Sequence, residues 1–268
     1  RHAPARRPSA SERPAVRKGN VAGHSPSRRG RHTFGWSPAF GDAATLARPS
    51  TGSLSPAQAA PDAVVPSDGP RDDCRYDQTG GTTITNHGSG ADATVVNGQN
   101  SQWTGSSLRF VGGAKTSATA NWVRLPERLL SNANSATIST EVKFTAAMKR
   151  DYNFLWSIGS DSTNAYYFTS VRDNARTAIT TRPNSGEYTT GSPSALNADR
   201  WYSPTSVIDG DAKTLSYHVD GVQAGSTPTQ LTPAPITVPS ILAFRPPPWP
   251  AGFSPGDASA LRVYNAAL

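Results

Sequence analysis

Short segments in which apolar and polar side chains alternate recur along the chain from residue 76 onward. Successive side chains of an extended chain point to opposite faces, so alternation predicts a strand with one buried face. In "ATISTEVKF", Ile138, Val142 and Phe144 fall on one face, and Ser139 and Lys143 fall on the other. Comparable segments, separated by turn-forming residues, are "SLRFVGG", "NAYYFTSVRD", "KTLSYHVD" and "ALRVYN". This pattern predicts an antiparallel sandwich.

One segment, "YNFLWSIG", is apolar nearly throughout. Such a run suits a strand that is covered on both faces, so we place Trp156 in the core. We also expect Trp201, in "RWYSPTSVID", to be buried. Helical periodicity is weak, and one helical turn at Glu127–Leu130 after Pro126 is the exception. The predicted fold class is therefore all-β.

The stretch "LSYHVDGVQAGS" predicts a β-hairpin. Alternation places Leu215 and Tyr217 on the core face and His218 on the opposite face, towards solvent. Asp220-Gly221 is the kind of dipeptide that tolerates the two positive φ angles of a type I′ turn. A histidine base and an orienting carboxylate would share one face here, but no nucleophile in the sequence accompanies them. We therefore interpret His218 as a solvated strand residue and Asp220 as a turn former.

The net charge of +7 lies entirely in the first part of the 268-residue chain. Residues 1–71 contain 11 Lys and Arg against 4 Asp and Glu, whereas residues 72–268 contain 15 of each. The first segment is also rich in proline and poor in apolar runs, which predicts a basic, disordered segment ahead of one domain at 72–268. Such a segment would bind polyanions weakly through counterion release. It lacks the interleaved aromatic residues of a specific nucleic-acid site.

Cysteine content and hydropathy exclude several other classes. Cys74 is the only cysteine, which excludes an internal disulfide and any multi-cysteine zinc site. No segment approaches the ~18 apolar residues of a membrane span. No apolar stretch has the character of a signal peptide either.

Seven segments in order resemble the laminin-G-like, concanavalin-type jelly-roll domain. They cover about residues 75–268 and are "YDQTGGTTITNHGSGADATVVNG", "WTGSSLRFVGGA", "WVRLP", "ATISTEVKF", "FLWSIG", "RWYSPTSVIDGDAKTLSYHVDGVQAGS" and "ALRVYNAAL". The resemblance implies an antiparallel β-sandwich of the jelly-roll type. It also implies a secreted or extracellular protein, since such modules are commonly attached to bacterial glycoside hydrolases and adhesins, where they bind glycans or fill structural roles.

Two departures from the family pattern change the expectation locally. Pro204 falls inside the "WYSPTSV" strand, and because proline cannot donate a ladder hydrogen bond, we expect an edge or a bulge there. Between residues 232 and 255, eight prolines occupy the region where the family has a strand. The sequence therefore does not predict a penultimate strand.

The resemblance also bears on catalysis. Hydrolases on this scaffold typically carry a Glu-x-Asp-x-(x)-Glu strand that sets two carboxylates about 5 to 5.5 Å apart on one face. The glutamates of this chain lack that spacing, and they are Glu12, Glu127, Glu141 and Glu187. We therefore favour a noncatalytic glycan-binding or adhesive accessory module. The alternatives are a polysaccharide hydrolase or lyase with an unusual acid/base set, and a structural interaction domain whose basic tail adsorbs polyanions.

Candidate ligand contacts are aromatic, because aromatic rings stack on the apolar faces of sugars. The predicted oligo- or polysaccharide contacts are Trp249, Trp122, Trp103 and Tyr166. The resemblance further implies a structural Ca²⁺ ion, with Asp77 near the first strand and Asp257 near the last meeting in space. Calcium requires six to eight oxygen ligands, so a single short turn cannot supply the site.

Overall fold

The computed structural model describes residues 69–149, 152–159, 165–172, 174–181, 186–236, 241–243 and 251–268. These residues belong to one unit, Ser55–Leu268. Nearly all of the predicted N-terminal segment, residues 1–71, lies outside the described residues. Its disorder and its polyanion binding stay predictions, as does the domain boundary at residue 72.

Regular structure in the described residues is almost entirely strand. Two 3₁₀ helices, Gly98–Asn100 and Ala146–Lys149, are the exceptions among them. The strands are β1 (Asp72–Arg75), β2 (Thr83–Ile84), β3 (Ala93–Val96), β4 (Gln102–Trp103), β5 (Leu108–Gly113), β6 (Trp122–Leu125), β7 (Ala136–Phe144), β8 (Asn153–Gly159), β9 (Tyr166–Val171), β10 (Ala175–Thr180), β11 (Tyr188–Gly191), β12 (Arg200–Tyr202), β13 (Pro204–Asp209), β14 (Thr214–Val219), β15 (Val222–Pro228), β16 (Ile241–Ala243) and β17 (Phe253–Tyr264).

These strands form two antiparallel sheets. The first has the order β15-β14-β13-β7-β17-β5-β4, with β1 also paired to β17 and β12 also paired to β7. The second has the order β11-β10-β9-β8-β16-β6-β3-β2. Buried side chains of both sheets form one core, in which Phe110 and Tyr217 of the first sheet join Trp156 and Tyr167 of the second. This packing confirms the predicted all-β sandwich.

The hydrophobic patterns predict the buried faces correctly. In β7, Ile138, Val142 and Phe144 are buried, whereas Ser139 and Lys143 are partly exposed. In β8 every side chain is buried, as expected of a strand covered on both faces. Trp156 lies in the core, where its ring meets the Tyr167 ring edge-to-face at 4.8 Å between centroids.

The predicted hairpin is also confirmed. β14 and β15 pair through a turn in which Asp220 has φ 52 and Gly221 has φ 78, the two positive angles of a type I′ turn. Leu215 and Tyr217 are fully buried, and His218 is partly exposed on the other face. The type I′ turn therefore accounts for the Asp-Gly pair.

One local expectation was wrong. The segment Glu127–Leu130 is a turn rather than helical, because Arg128 has a positive φ of 60. The local edge expected at Pro204 is confirmed. Pro204 is the first residue of β13 and pairs with Val219 of β14, but its β7 side is unpaired, since the pairing of β13 with β7 begins at Thr205. A strand does occur within 232–255, since Ile241–Ala243 pairs with both β6 and β8.

Membrane insertion through a helix has no support in the described part of the chain. No helix there is long and apolar enough to cross a bilayer.

Candidate functional site

A groove of about 250 Å³ opens on the solvent-facing side of the first sheet. It lies where β7, β12 and β17 meet the turn between β14 and β15. We call it the Trp201 groove, and its lining residues are Glu141, Trp201, Tyr202, Ser203, Asp220 and Ser259. The groove brings two carboxylates, two serine residues, a tyrosine and an indole ring to one place.

Trp201 is the exposed aromatic residue of this groove, contrary to its predicted burial. Its side chain is 43% exposed, while that of the next residue, Tyr202, is buried. Strand alternation gives these neighbours opposite faces, and pairing with β7 decides which face each takes. Tyr202 lies opposite the buried Val142, and Trp201 lies opposite Lys143. The indole ring is therefore available to a ligand.

Asp220 fixes one wall of the Trp201 groove. Its Oδ1 accepts a hydrogen bond from the Ser203 N–H at 2.9 Å, and its Oδ2 accepts one from Arg200 Nη2 at 2.8 Å. The Arg200 guanidinium lies 4.7 Å from the centroid of the Tyr202 ring. Both carboxylate oxygens of Asp220 are therefore engaged in holding the strand end next to Trp201.

Glu141 is the second carboxylate of the groove, and it is also held by hydrogen bonds. Its Oε1 accepts a hydrogen bond from Arg262 Nη1 and its Oε2 accepts one from Ser259 Oγ, both at 2.7 Å. Burial alone would raise the pKa of Glu141, but the hydrogen bonds from Arg262 and Ser259 outweigh it, and the net pKa is lowered. Arg262 is itself anchored, since its Nε donates to Asp73 Oδ1 at 3.1 Å. Glu141 is thus an ionised acceptor at neutral pH.

His218 is outside this arrangement. Its Nε2 lies 3.1 Å from Ser216 Oγ, and partial burial lowers the pKa of the imidazole, which is therefore neutral at pH 7. The oxygens of Asp220 are taken by Arg200 and Ser203 rather than by His218. The structure therefore does not show a histidine base oriented by this carboxylate.

Two of the predicted aromatic contacts are largely enclosed by protein. Trp122 is 6% exposed, packs in a small cluster with Ala120 and Phe253, and has the Arg124 guanidinium 5.5 Å from its ring. Trp103 is half-buried against the main core, and its Nε1 donates to the Gly81 carbonyl at 3.1 Å. Neither lines the Trp201 groove, and their contacts with a sugar stay predictions.

Tyr166 does not line the Trp201 groove either. Tyr166 is 3% exposed, stacks on Phe168 with 5.7 Å between ring centroids, and donates its hydroxyl to Glu187. Trp249 lies outside the described residues. Sugar contacts by Tyr166 and Trp249 stay predictions, and Trp201 is the exposed tryptophan among the described residues.

The two predicted calcium ligands differ in their surroundings. Asp77 is exposed two residues after the end of β1. The residue between them, Tyr76, donates its N–H to the Ser259 carbonyl at 2.9 Å. Asp257 is buried, and its carboxylate oxygens accept Arg109 Nε at 2.7 Å and Nη2 at 3.3 Å. Because Arg109 already neutralises Asp257, these residues do not offer an open pair of carboxylates.

The described residues offer no better metal site. No group of three or more His, Cys, Asp or Glu side chains there could hold a metal ion. Calcium binding stays a prediction.

Several solved structures share the fold at low sequence identity. The sialidase of Trypanosoma rangeli, in complex with 2-keto-3-deoxy-D-glycero-D-galacto-2,3-difluoro-nononic acid, matches with a TM-score of 0.54 and 18% identity. The match covers 76% of this chain and 31% of the sialidase. The binding domain of botulinum neurotoxin serotype C1 matches with a TM-score of 0.54 and 8% identity, over 74% of this chain and 49% of that one.

Domains LG4-5 of the mouse laminin α1 chain also match, with a TM-score of 0.47 and 10% identity, over 62% of this chain and 43% of theirs. This chain thus spans less than half the length of each of these three proteins. No curated protein matches it.

A family model described as the concanavalin A-like lectin/glucanases superfamily matches residues 117–268, more than half of the chain. The match includes β6 to β17 and so contains most of both sheets and the Trp201 groove. This agrees with the resemblance read from the seven sequence segments. The chain therefore belongs to the concanavalin A-like lectin/glucanases superfamily.

Proposed function

We propose that residues 72–268 form a noncatalytic glycan-binding module that stacks a sugar ring on Trp201. The observation that carries the proposal is the exposed Trp201 indole in a groove lined by Glu141 and Asp220. An aromatic face and hydrogen-bonding groups in one groove match the two kinds of surface that a pyranose presents. The solved structures share the fold with this chain and support no more than that.

The charges of the groove favour a neutral sugar. Glu141 is paired with Arg262, and Asp220 is paired with Arg200, so each carboxylate is balanced by one guanidinium. A carboxylate oxygen has more than one lone pair, so both groups retain capacity to accept hydrogen bonds from sugar hydroxyls. We therefore propose a neutral hexose-containing oligosaccharide as the ligand class.

The same contacts argue against a hydrolase. A general acid must hold a proton at the working pH, which requires a raised pKa. The pKa of Glu141 is lowered instead, as its hydrogen bonds from Arg262 and Ser259 outweigh its burial. Asp220 is occupied by Ser203 and Arg200. We therefore assign both carboxylates to binding and support.

Binding should be weak because the groove is shallow and open. A single stacking platform with a few hydrogen bonds gives micromolar to millimolar dissociation constants, or about 4 to 8 kcal/mol. Such affinity suits an accessory or adhesive module that gains strength from attachment to other domains or from repeated ligands. We also propose a secreted or extracellular location, because modules that resemble this one are commonly attached to secreted glycoside hydrolases and adhesins.

The test is a glycan array probed with the full chain, followed by incubation with each retained glycan. We expect neutral oligosaccharides to be retained and the number of reducing ends to stay constant with time. A variant with Trp201→Ala should lose retention. Reducing ends that accumulate with wild-type protein, and unchanged retention by the variant, would replace this proposal with a hydrolase.

A further inference from the structure

We propose that a second groove, at the edge of the second sheet, binds a carboxylated or sulfated saccharide. The groove has a volume of about 500 Å³ and lies beside β10 and β11. We call it the Tyr152 groove, and the lining residues that matter here are Tyr152, Arg172, Arg176, Thr189 and Thr190. The inference rests on the proposed function, since it takes the domain to be a glycan binder.

Two guanidinium groups converge on one exposed ring. Tyr152 is 50% exposed, which is unusual for a large aromatic side chain in this domain. The guanidinium carbon of Arg172 lies 5.3 Å from the centroid of the Tyr152 ring, and that of Arg176 lies 5.9 Å from it. Cation–π attraction holds both arginines near the ring without using their N–H donors. Those donors can therefore face a ligand.

Arg176 is held in place by packing on two rings. Its guanidinium carbon also lies 5.3 Å from the centroid of the Phe168 ring, and its Nε is buried without a hydrogen-bond partner among the described residues. Phe168 packs in turn against Phe154 at 5.1 Å between centroids. Arg176 thus has a fixed orientation, which lowers the entropic cost of binding an anion.

The positive charge of this groove is only partly balanced. Glu187 Oε1 lies 3.8 Å from Arg176 Nη1, beyond hydrogen-bond distance, and its other oxygen accepts the Tyr166 hydroxyl. Within the described residues, the Arg172 guanidinium has no carboxylate partner. Counting the described residues alone, the Tyr152 groove has two guanidinium groups and one carboxylate, whereas the Trp201 groove has two of each.

The rest of the groove suits a sugar better than a bare anion. The Tyr152 ring offers an apolar face, and the partly exposed Thr190 also lines the groove. Thr189 is partly committed, because its hydroxyl donates to the Thr177 carbonyl at 3.0 Å. An aromatic face, a hydroxyl and a forked guanidinium pair together fit a pyranose that carries a carboxylate or a sulfate.

The test is a titration of the full chain with three probes: a sulfated tetrasaccharide from heparin, an oligogalacturonate and a single-stranded DNA of matched charge. The variants are Tyr152→Ala, Arg172→Ala and the milder Arg172→Gln, with Arg75→Ala as a control for loss of an exposed arginine elsewhere. We expect affinity for one or both acidic saccharides to fall about tenfold in the three groove variants and to be unchanged in the control. Thermal unfolding of each variant checks that the fold is intact.

Three results would overturn the inference. They are unchanged affinity in all groove variants, an equal loss in Arg75→Ala, and a parallel loss of DNA binding, which would make the groove a general polyanion surface. A neutral oligosaccharide bound through Trp201 separates this inference from the proposed function. If that ligand still binds while the groove variants keep full affinity for acidic saccharides, only the second site is wrong. If acidic saccharides bind through Tyr152 but no neutral glycan binds through Trp201, the proposed function is wrong.

Discussion

Asp220 and Ser203 are joined by two hydrogen bonds. The Ser203 N–H donates to Asp220 Oδ1 at 2.9 Å, and the Asp220 N–H donates to the Ser203 carbonyl at 3.2 Å. Ser203 follows β12 directly, so the pair fixes the end of the strand that carries Trp201. The β14–β15 turn therefore supports the strand that carries Trp201, and Asp220 has a structural role.

Two replacements of Asp220 should distinguish how much its turn conformation and its charge each contribute to the free energy of unfolding. Asp220→Ala should lower the free energy of unfolding by about 1 to 2 kcal/mol, because it removes two side-chain hydrogen bonds and disfavours the positive φ. Asp220→Asn keeps an acceptor and tolerates that φ, so it should lose less than about 1 kcal/mol. Urea denaturation gives both values. Equal losses would mean that the ion pair with Arg200 is the main contribution.

The two faces of β14 should respond differently to truncation. His218→Ala should change the free energy of unfolding by no more than about 0.5 kcal/mol, because the side chain is partly exposed. Tyr217→Ala should cost on the order of 3 kcal/mol, because the ring is fully buried. Chemical denaturation of the two variants under one condition is the comparison. Similar values would contradict the assignment of faces.

Two buried tyrosine hydroxyls form a matched pair. The Tyr217 hydroxyl has no hydrogen-bond partner among the described residues, whereas the Tyr167 hydroxyl is bonded to Ser206. Burial raises the pKa of both phenols well above the usual value. Tyr217→Phe should therefore be neutral or stabilising, and Tyr167→Phe should cost about 1 kcal/mol. If Tyr217→Phe is the more destabilising of the two, that hydroxyl has a partner after all.

The carboxyl group of Asp72 should make stability depend on pH. Burial raises its pKa from 3.8 to about 6, although Arg71 and a hydrogen bond from Asn86 favour the ionised form. One of its oxygens, Oδ2, has no hydrogen-bond partner in the described residues. A raised carboxyl pKa means that the folded state holds this proton more tightly, so Asp72 costs stability as pH rises through about 6.

Asp72→Asn imitates the protonated form and should remove that cost. The variant should match wild type near pH 4 and exceed it by on the order of 2 kcal/mol at pH 7.5. Urea unfolding at several pH values between these limits gives the difference. A loss at pH 7.5 would show that the neighbours of Asp72 stabilise its ionised form, and a gain that does not depend on pH would show that its pKa is not raised.

The sandwich can be predicted from the sequence because the hydrophobic pattern of each strand and the residues of its turns are local signals. Alternation in β7 predicts one buried face, and the continuous apolar run of β8 predicts two. The Asp220-Gly221 pair predicts the turn that follows β14. Each of these signals lies within about ten residues of the chain. They are the features that the structure confirms.

The Trp201 groove could not be predicted in the same way, because long-range pairing builds it. Trp201 and Tyr202 are adjacent aromatic residues, and alternation requires one inside and one outside without saying which. The register with Val142 and Lys143 decides it, and that register is not visible in the three-residue strand. Glu141 enters the groove only because β7 lies next to β12.

Isothermal titration of the best neutral oligosaccharide from the array, against wild type, Trp201→Ala and Val111→Ala, tests the central claim most directly. Val111 is a matched control, since it is another exposed apolar side chain of the first sheet, 46% exposed in β5. We predict a micromolar to millimolar dissociation constant for wild type and for Val111→Ala, and a loss of at least about tenfold in Trp201→Ala. Equal affinities for all three proteins would contradict the assignment of Trp201 as the sugar platform.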